Sequence, residues 1–214
     1  MLRASIARRA GAEGDHVNDL PRPATKRGEA TRQRLLEAAE HEIGAHGFHA
    51  ASVSSITRRA GTAQGTFYLY FPTKEDALRE LVRHMGRELR HALAEATRGA
   101  PHRLEAERRG FVAFARFSLG HSNLYRVVME SQFVDDAIYR EYYQTLADAY
   151  AAGLTGAQAK GEIRRGDPET QAWALMGIAH FLGLRFAIWG GSEPPSEALD
   201  AVFDLVRHGL EVRP

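Results

Sequence analysis

The chain has 214 residues, 44% of them hydrophobic and 26% charged, enough for one large domain or for a small and a medium one with a sizeable core. It has no cysteine, which excludes disulfides, thiolate catalysis and Cys-ligated zinc. No apolar run approaches the roughly 20 residues that span a bilayer, and the Arg- and Ala-rich N-terminus lacks the apolar stretch of a secretion signal, so a cytoplasmic protein is expected. The net charge of +1 is unevenly distributed: residues 1–74 carry 11 Lys/Arg against 7 Asp/Glu and residues 75–214 carry 17 against 20, a bias that permits nucleic-acid binding at the N-terminal end without requiring it.

Residues 1–28 combine Arg3, Arg8, Arg9, Arg22, Lys26 and Arg27 with Gly11, Gly14, Pro21 and Pro23 and have no sustained apolar period. This predicts a disordered basic tail, either an arm toward phosphates or a solvated leader. From Thr31 to Gly47, Leu35, Leu36, Ala39 and Ile43 recur at helical spacing and Gly47 closes the helix. Ser52 is placed to cap a second helix carrying Val53, Ile56 and Ala60, with Arg58 and Arg59 at its end. Gly61 supplies a turn, Thr62 is placed to cap a third helix, and Pro72 ends that helix by pushing Phe71 out of helical geometry. Helix, tight turn and short helix on a supporting helix make a helix-turn-helix unit.

Thr73 and Asp76 form a capping box for a fourth helix with Leu78, Leu81, Val82, Met85, Leu89 and Leu93 on one stripe. Gly99–Pro101 breaks the pattern. Helical periods then run through 104–119, 124–133 and 134–160. Asp167 and Pro168 open a helix to Trp189 that is apolar nearly all round and so is expected to be buried on several sides. Ser196 is placed to cap a last helix with Leu199, Val202, Phe203, Val206 and Leu210 on one face. The expected fold is all-α, with a helix-turn-helix domain at 29–75 and a helical domain at 76–214 whose first part, 76–98, connects the two.

Within 62–74 the residue types suit DNA. Gln64 can pair bidentately with adenine, Thr66 can meet a thymine methyl or a phosphate, and Tyr68 and Tyr70 offer hydroxyls at phosphate height. Ala63 is small. Gly65 is unfavourable in a helix by roughly 1 kcal/mol against alanine, which points either to close approach of a partner or to a helix crossing. Lys74 opposes the dipole in the first turn of its helix, a placement that a phosphate bound by the ammonium and the free N–H groups would reverse. Ser52 and Arg34 are further phosphate candidates.

The stretch ATRQRLLEAAEHEIGAHGFHAASVSSITRRAGTAQGTFYLYFPTKEDAL, Ala30 to Leu78, resembles the DNA-binding domain of the TetR family of bacterial transcriptional regulators, with Gly61, Gly65-Thr66, Tyr68, Phe71 and Lys74 at the family's motif positions. The resemblance implies a nine-helix homodimer whose reader helices enter successive major grooves of a palindromic operator, and a repressor released when a small ligand binds the C-terminal domain. Gln64 stands where lysine is frequent, Leu69 and Tyr70 replace a more polar pair, and the tail is longer than usual. For the ligand, the candidates are Phe114, Phe117, His121, Tyr125, Met129, Phe133, Tyr143, Phe181 and Arg185, lining a pocket for a mostly apolar molecule with one anionic or hydrogen-bonding end. Hydrophobic drugs, aromatic metabolites and acyl-CoA thioesters all fit that composition. For the dimer, the resemblance points to the last two helices, with Trp173, Ala174, Gly177, Gly183, Trp189, Val202, Phe203 and Val206 as contacts.

An enzyme is not expected, nor a cofactor or metal. His41-Glu42 with His46 misses zinc-protease spacing by one residue, and there is no G-x-S-x-G, phosphate loop or G-x-G-x-x-G. The alternative is a helical small-molecule sensor or adaptor without sequence-specific DNA binding. A reader helix without Arg or Lys contributes little counterion release. Deleting residues 1–26 is therefore expected to flatten the log–log salt dependence of operator binding, measured by fluorescence anisotropy; an unchanged slope refutes the arm.

Overall fold

Thr25, not Thr31, opens the first helix: its side chain accepts the Gly28 N–H at 3.1 Å, and Glu29 sits in the first turn. The computed structural model describes residues 23–211. The expected disorder of residues 1–22 lies outside that range, whereas Lys26–Gly28, expected in the same tail, are helical. This first turn is polar on all sides, so it escapes a search for apolar period, and a truncation that spares the helix ends before Pro23.

Among the described residues the chain forms nine helices: α1 Lys26–His46, α2 Val53–Ala60, α3 Gln64–Tyr70, α4 Lys74–Thr97, α5 Arg103–Gly120, α6 Ser122–Ser131, α7 Asp136–Ala159, α8 Pro168–Leu182 and α9 Ser196–Leu210. The wider turns Gly183–Trp189 of a π-helix continue α8. The stops and starts follow local chemistry. Gly61 takes the left-handed conformation (φ 65°) after α2, Ser52 with Ser55 and Thr73 with Asp76 form reciprocal capping boxes, and Asp167 caps α8 with Pro168 at its first position. Neither Thr62 nor Ser196 acts as the expected cap: Ala63 and Pro195 precede α3 and α9, and no side chain caps either helix.

α4 is the spine, packing against α1, α5, α6 and α7. One apolar cluster runs from Leu35, Ile43, Ile56, Phe67 and Phe71 through Leu78, Leu81 and Met85 to Leu124, Val127 and Tyr142, unbroken across position 75. Phe67 and Phe71 are fully buried in it and thereby set the tilt of α3. A second cluster, Phe111, Leu154, Ile163, Ala172, Leu175, Val206 and Leu210, fills the far end between α5, α7, α8 and α9. Gly99–Pro101 is only the turn between α4 and α5.

The expectation that α8 is buried on several sides is not met within the single chain. Trp173, Phe181 and Trp189 are 41%, 68% and 73% exposed, because the inward side alone packs on α5 and α7. The segment Pro168–Trp189 is long and apolar enough to cross a membrane by length and composition, but His180 turns inward from it to hydrogen-bond Tyr125.

Gly44 lets α1 and α6 touch. A Cβ there would stand 2.7 Å from Asn123 Cβ and 2.9 Å from Asn123 Cα, with backbone that cannot swing aside. Gly44→Ala is expected to destabilise the protein by about 1–3 kcal/mol through this overlap, read as a lowered urea midpoint with unchanged m-value.

Candidate DNA-reading face and ligand cavity

The reader segment is presented outward by its own buried aromatics. With Phe67 and Phe71 inside, Ala63, Gln64, Gly65, Tyr68 and Leu69 are exposed and Thr66 and Tyr70 half-buried. A side chain added at Gly65 would meet no atom within 4 Å, so no helix crossing within the chain requires glycine there. Tyr70 instead packs on the core, its hydroxyl beside Gly28 at the start of α1. Thr62 is half-buried and its Oγ1 is buried without a hydrogen-bond partner. Ser52 is exposed and engaged with Ser55, and Arg34 is exposed and donates to Thr31 Oγ1 at 3.2 Å. Arg59 Nε donates to Glu42 at 2.6 Å, and that bond holds the nearly buried Glu42 carboxyl below its usual range and ties α2 to α1.

Lys74 departs from its expected role. Its ammonium donates to the carbonyls of Phe48 and Ala51 at 2.6 and 2.7 Å and lies 4.1 Å from the centre of the Phe48 ring. The unfavourable dipole position is thus compensated from within, by the loop before α2, and the ammonium is not presented to a phosphate. From the other side Glu130 on α6 accepts the Phe48 N–H at 2.7 Å. Glu130 carries no sequence signal of this role, because its partner is a backbone group 82 residues away.

Behind this unit α4, α5, α6, α7 and α8 enclose a cavity of about 440 Å³. Of the nine expected ligand residues, Phe114, Tyr125, Met129 and Tyr143 line it. Phe117 and His121 stack on each other at 4.2 Å along a different, open depression beside Ala92 and Ala96. Phe133 lies in the α6–α7 turn, 78% exposed; Phe181 follows the inward-facing His180 by one residue and so points out; Arg185 is exposed over Phe186. Residues missed include Met85, Leu89, Arg90 and Leu93 of α4 and Arg103, Glu107, Tyr142, Leu146 and Tyr150 of α5 and α7. The α4 stripe reads as a connector in sequence but forms a wall of the cavity.

The wall is mostly apolar with two polar stations. At one, the Tyr125 hydroxyl lies 3.0 Å from His180 Nδ1, and burial lowers the imidazole pKa, keeping the ring neutral, and raises that of the phenol. At the other, Glu107, 3% exposed, accepts Arg103 Nε at 2.6 Å and the Tyr150 hydroxyl, and Arg103 also covers the Tyr150 ring. Among the expected dimer contacts, Trp173, Ala174 and Trp189 face outward and Gly177 is half-buried. Gly183 instead admits Phe114, 2.8 Å from where its Cβ would be, Val206 is inside the second cluster, and Val202 and Phe203 are half-buried.

A short exposed helix set by buried aromatics after a left-handed glycine turn, held on the end of a helical body, defines a helix-turn-helix DNA-binding protein. The family model described as "Bacterial regulatory proteins, tetR family" matches residues 35–81. The HTH-type transcriptional regulator YdgC of Bacillus subtilis is 48% identical over 56 residues, which is 26% of this chain and 29% of that protein. The HTH-type transcriptional regulator BetI of Yersinia pestis is 26% identical over 187 residues, 85% of this chain and 93% of BetI. FadR from Bacillus subtilis, solved in complex with stearoyl-CoA, shares the fold with a TM-score of 0.71 at 23% identity, covering 81% of this chain and 96% of that one. The match to the tetR family thus covers residues 35–81, the helix-turn-helix unit, and the helices beyond it share the fold of the solved FadR structure.

Lys74→Met removes both loop contacts and is expected to cost about 1–3 kcal/mol in urea denaturation and to weaken binding to all DNA sequences alike. Gln64→Ala, at an exposed position, is expected to leave stability within about 0.5 kcal/mol and to change which sequence is preferred in competition binding.

Proposed function

We propose that the protein is a ligand-released repressor acting in the cytoplasm: a homodimer that holds a near-palindromic operator and lets go when a small, mostly apolar molecule enters the α4–α8 cavity. The observation that carries this reading is that α4 does two jobs on one rigid rod. Its Met85–Leu93 stretch lines the cavity, and its first residue, Lys74, grips the loop that sets α2. A ligand that prefers a different tilt of α4 moves both reader helices and withdraws the DNA-competent population. The exposed Trp173, Phe181, Trp189 and Leu205 support a second copy seated on α8 and α9, which would bury an outward face of a kind that monomers rarely display. The reader residues in this proposal are Gln64, Gly65, Thr66 and Tyr68, with Ser52 and Arg34 toward phosphates. An acyl thioester, the ligand class of the FadR structure, is one candidate for the cavity, beside apolar drugs and aromatic metabolites.

Footprinting of DNA upstream of the protein's own gene tests the operator, with protection of about two helical turns expected. Ligand and operator must antagonise each other by the same factor at equilibrium. Leu146→Trp, which fills the cavity, is expected to keep operator affinity within about twofold while abolishing release by ligand in an anisotropy assay. Release that persists in this variant refutes the cavity as the control site.

A further inference from the structure

α4 and α7 run side by side in the same direction, and their seam is a ladder of charges. Arg79 Nε pairs with Asp135 at 2.5 Å, and one turn on, Arg83 Nε and Nη2 hold Glu141 at 2.8 and 2.9 Å. Positions 79, 83, 86 and 90 share one face of α4. At 86 glycine admits the Tyr142 ring, 3.4 Å from where a Cβ would be. At 90 an arginine again faces α7, but there it lines a groove with Tyr142 and Thr145, and the groove's acid, Glu141, is already taken by both donors of Arg83. Among the described residues the half-buried Arg90 guanidinium has neither a hydrogen bond nor a carboxylate, and Arg83 Nη1, in the same groove, is buried without a partner.

Arg90 and Tyr142 also stand at a boundary. Both line the apolar inner cavity, and both line an outer groove of about 210 Å³ along the α4–α7 seam. The other charges of the cavity wall cancel: Arg103 is neutralised by Glu107, and burial keeps His180 neutral. One uncompensated positive charge is left, at the place where an apolar interior meets a solvent-open groove. A half-buried guanidinium offers a bidentate, charge-assisted fork to a carboxylate or phosphate and little to a neutral head.

We propose that Arg90 anchors the anionic head of the cavity's ligand, so that the ligand is an amphiphilic anion, with its apolar body inside and a carboxylate or phosphate in the groove, where it supplies the missing third rung between α4 and α7. This rests on the cavity being the ligand site. Closing that rung draws the two helices together on the far side of the two existing pairs, which changes the tilt of α4 and, through Lys74, the loop before α2.

Isothermal titration of the full chain with decanoate, decyl phosphate and decanol tests it. At least one anion is expected to bind about tenfold or more tighter than decanol, and which of the two leads sorts carboxylate from phosphate. Arg90→Gln is expected to bring both anions to within about threefold of decanol while leaving decanol unchanged, and Arg90→Lys to keep part of the preference. An anion preference that survives Arg90→Gln overturns the anchor. Decanol binding without any anion preference in the natural chain removes the anchor and leaves the cavity reading standing; binding of none of the three removes both.

Discussion

The backbone of Phe48 is held from two sides, and the geometry of the DNA-reading unit depends on that grip. Its carbonyl faces the Lys74 ammonium from the start of α4, and its N–H faces the Glu130 carboxylate from α6. A loop between helices must find partners for backbone groups that no helix satisfies. Here the partners are full charges of opposite sign, one on each of the two peptide groups that flank the Phe48 Cα, and partly shielded from water, where such bonds are at their strongest. Because α2 begins at Val53, immediately beyond this loop, its direction is set by α4 and α6 and not by α1 alone. The close α1–α6 contact at Gly44 and the apolar cluster that crosses position 75 reinforce the same arrangement. The DNA-reading unit is therefore packed and hydrogen-bonded as part of the helical body.

Much of this was legible from residue types wherever a local rule decides. The capping boxes at Ser52 and Thr73, the left-handed Gly61 and the Pro72 stop are short-range devices, and each appears where its residues stand. What failed was long-range. Lys74 announced itself as anomalous against the helix dipole, yet its compensation came from carbonyls 23 and 26 residues back, which no periodicity reveals. Thr62 had the right chemistry for a cap, but the chain turned its hydroxyl inward and left Ala63 at the helix start. In the helical body, aromatic density marks α5 to α8 as cavity walls. The phase of each helix then divided those aromatics, keeping Phe114 and Tyr143 and turning Phe181 outward, while the unremarkable aliphatics of α4 became wall. Length and apolarity alone also misjudged α8, because a helix that is apolar on both sides can leave one side uncovered in a single chain.

The cavity follows a consistent electrostatic logic. Apart from Arg90 at its edge, charges that enter it are cancelled within it, as with Glu107 between Arg103 and Tyr150, and titratable rings that face it are kept neutral by burial, as with His180 and Tyr125. Such a lining suits apolar bodies without a strong demand on their shape and leaves discrimination to its rim. The rim is α4, the same helix that begins at the Phe48 clamp, so the residues best placed to choose a ligand are also those whose displacement matters most for the reader helices.

The two tryptophans are the only ones in the chain, and both stand on the outward side of the α8 segment, sixteen residues apart. Trp173 also lies stacked 6.4 Å from Tyr143, a cavity residue, whereas the DNA-reading unit contains tyrosine but no indole. The tryptophan emission of this protein, excited beyond the tyrosine absorption, therefore comes from the α8 segment alone. It is an optical reporter of the α8 surface and the adjoining cavity wall, blind to events at the reader helix except as they are transmitted through the helical body.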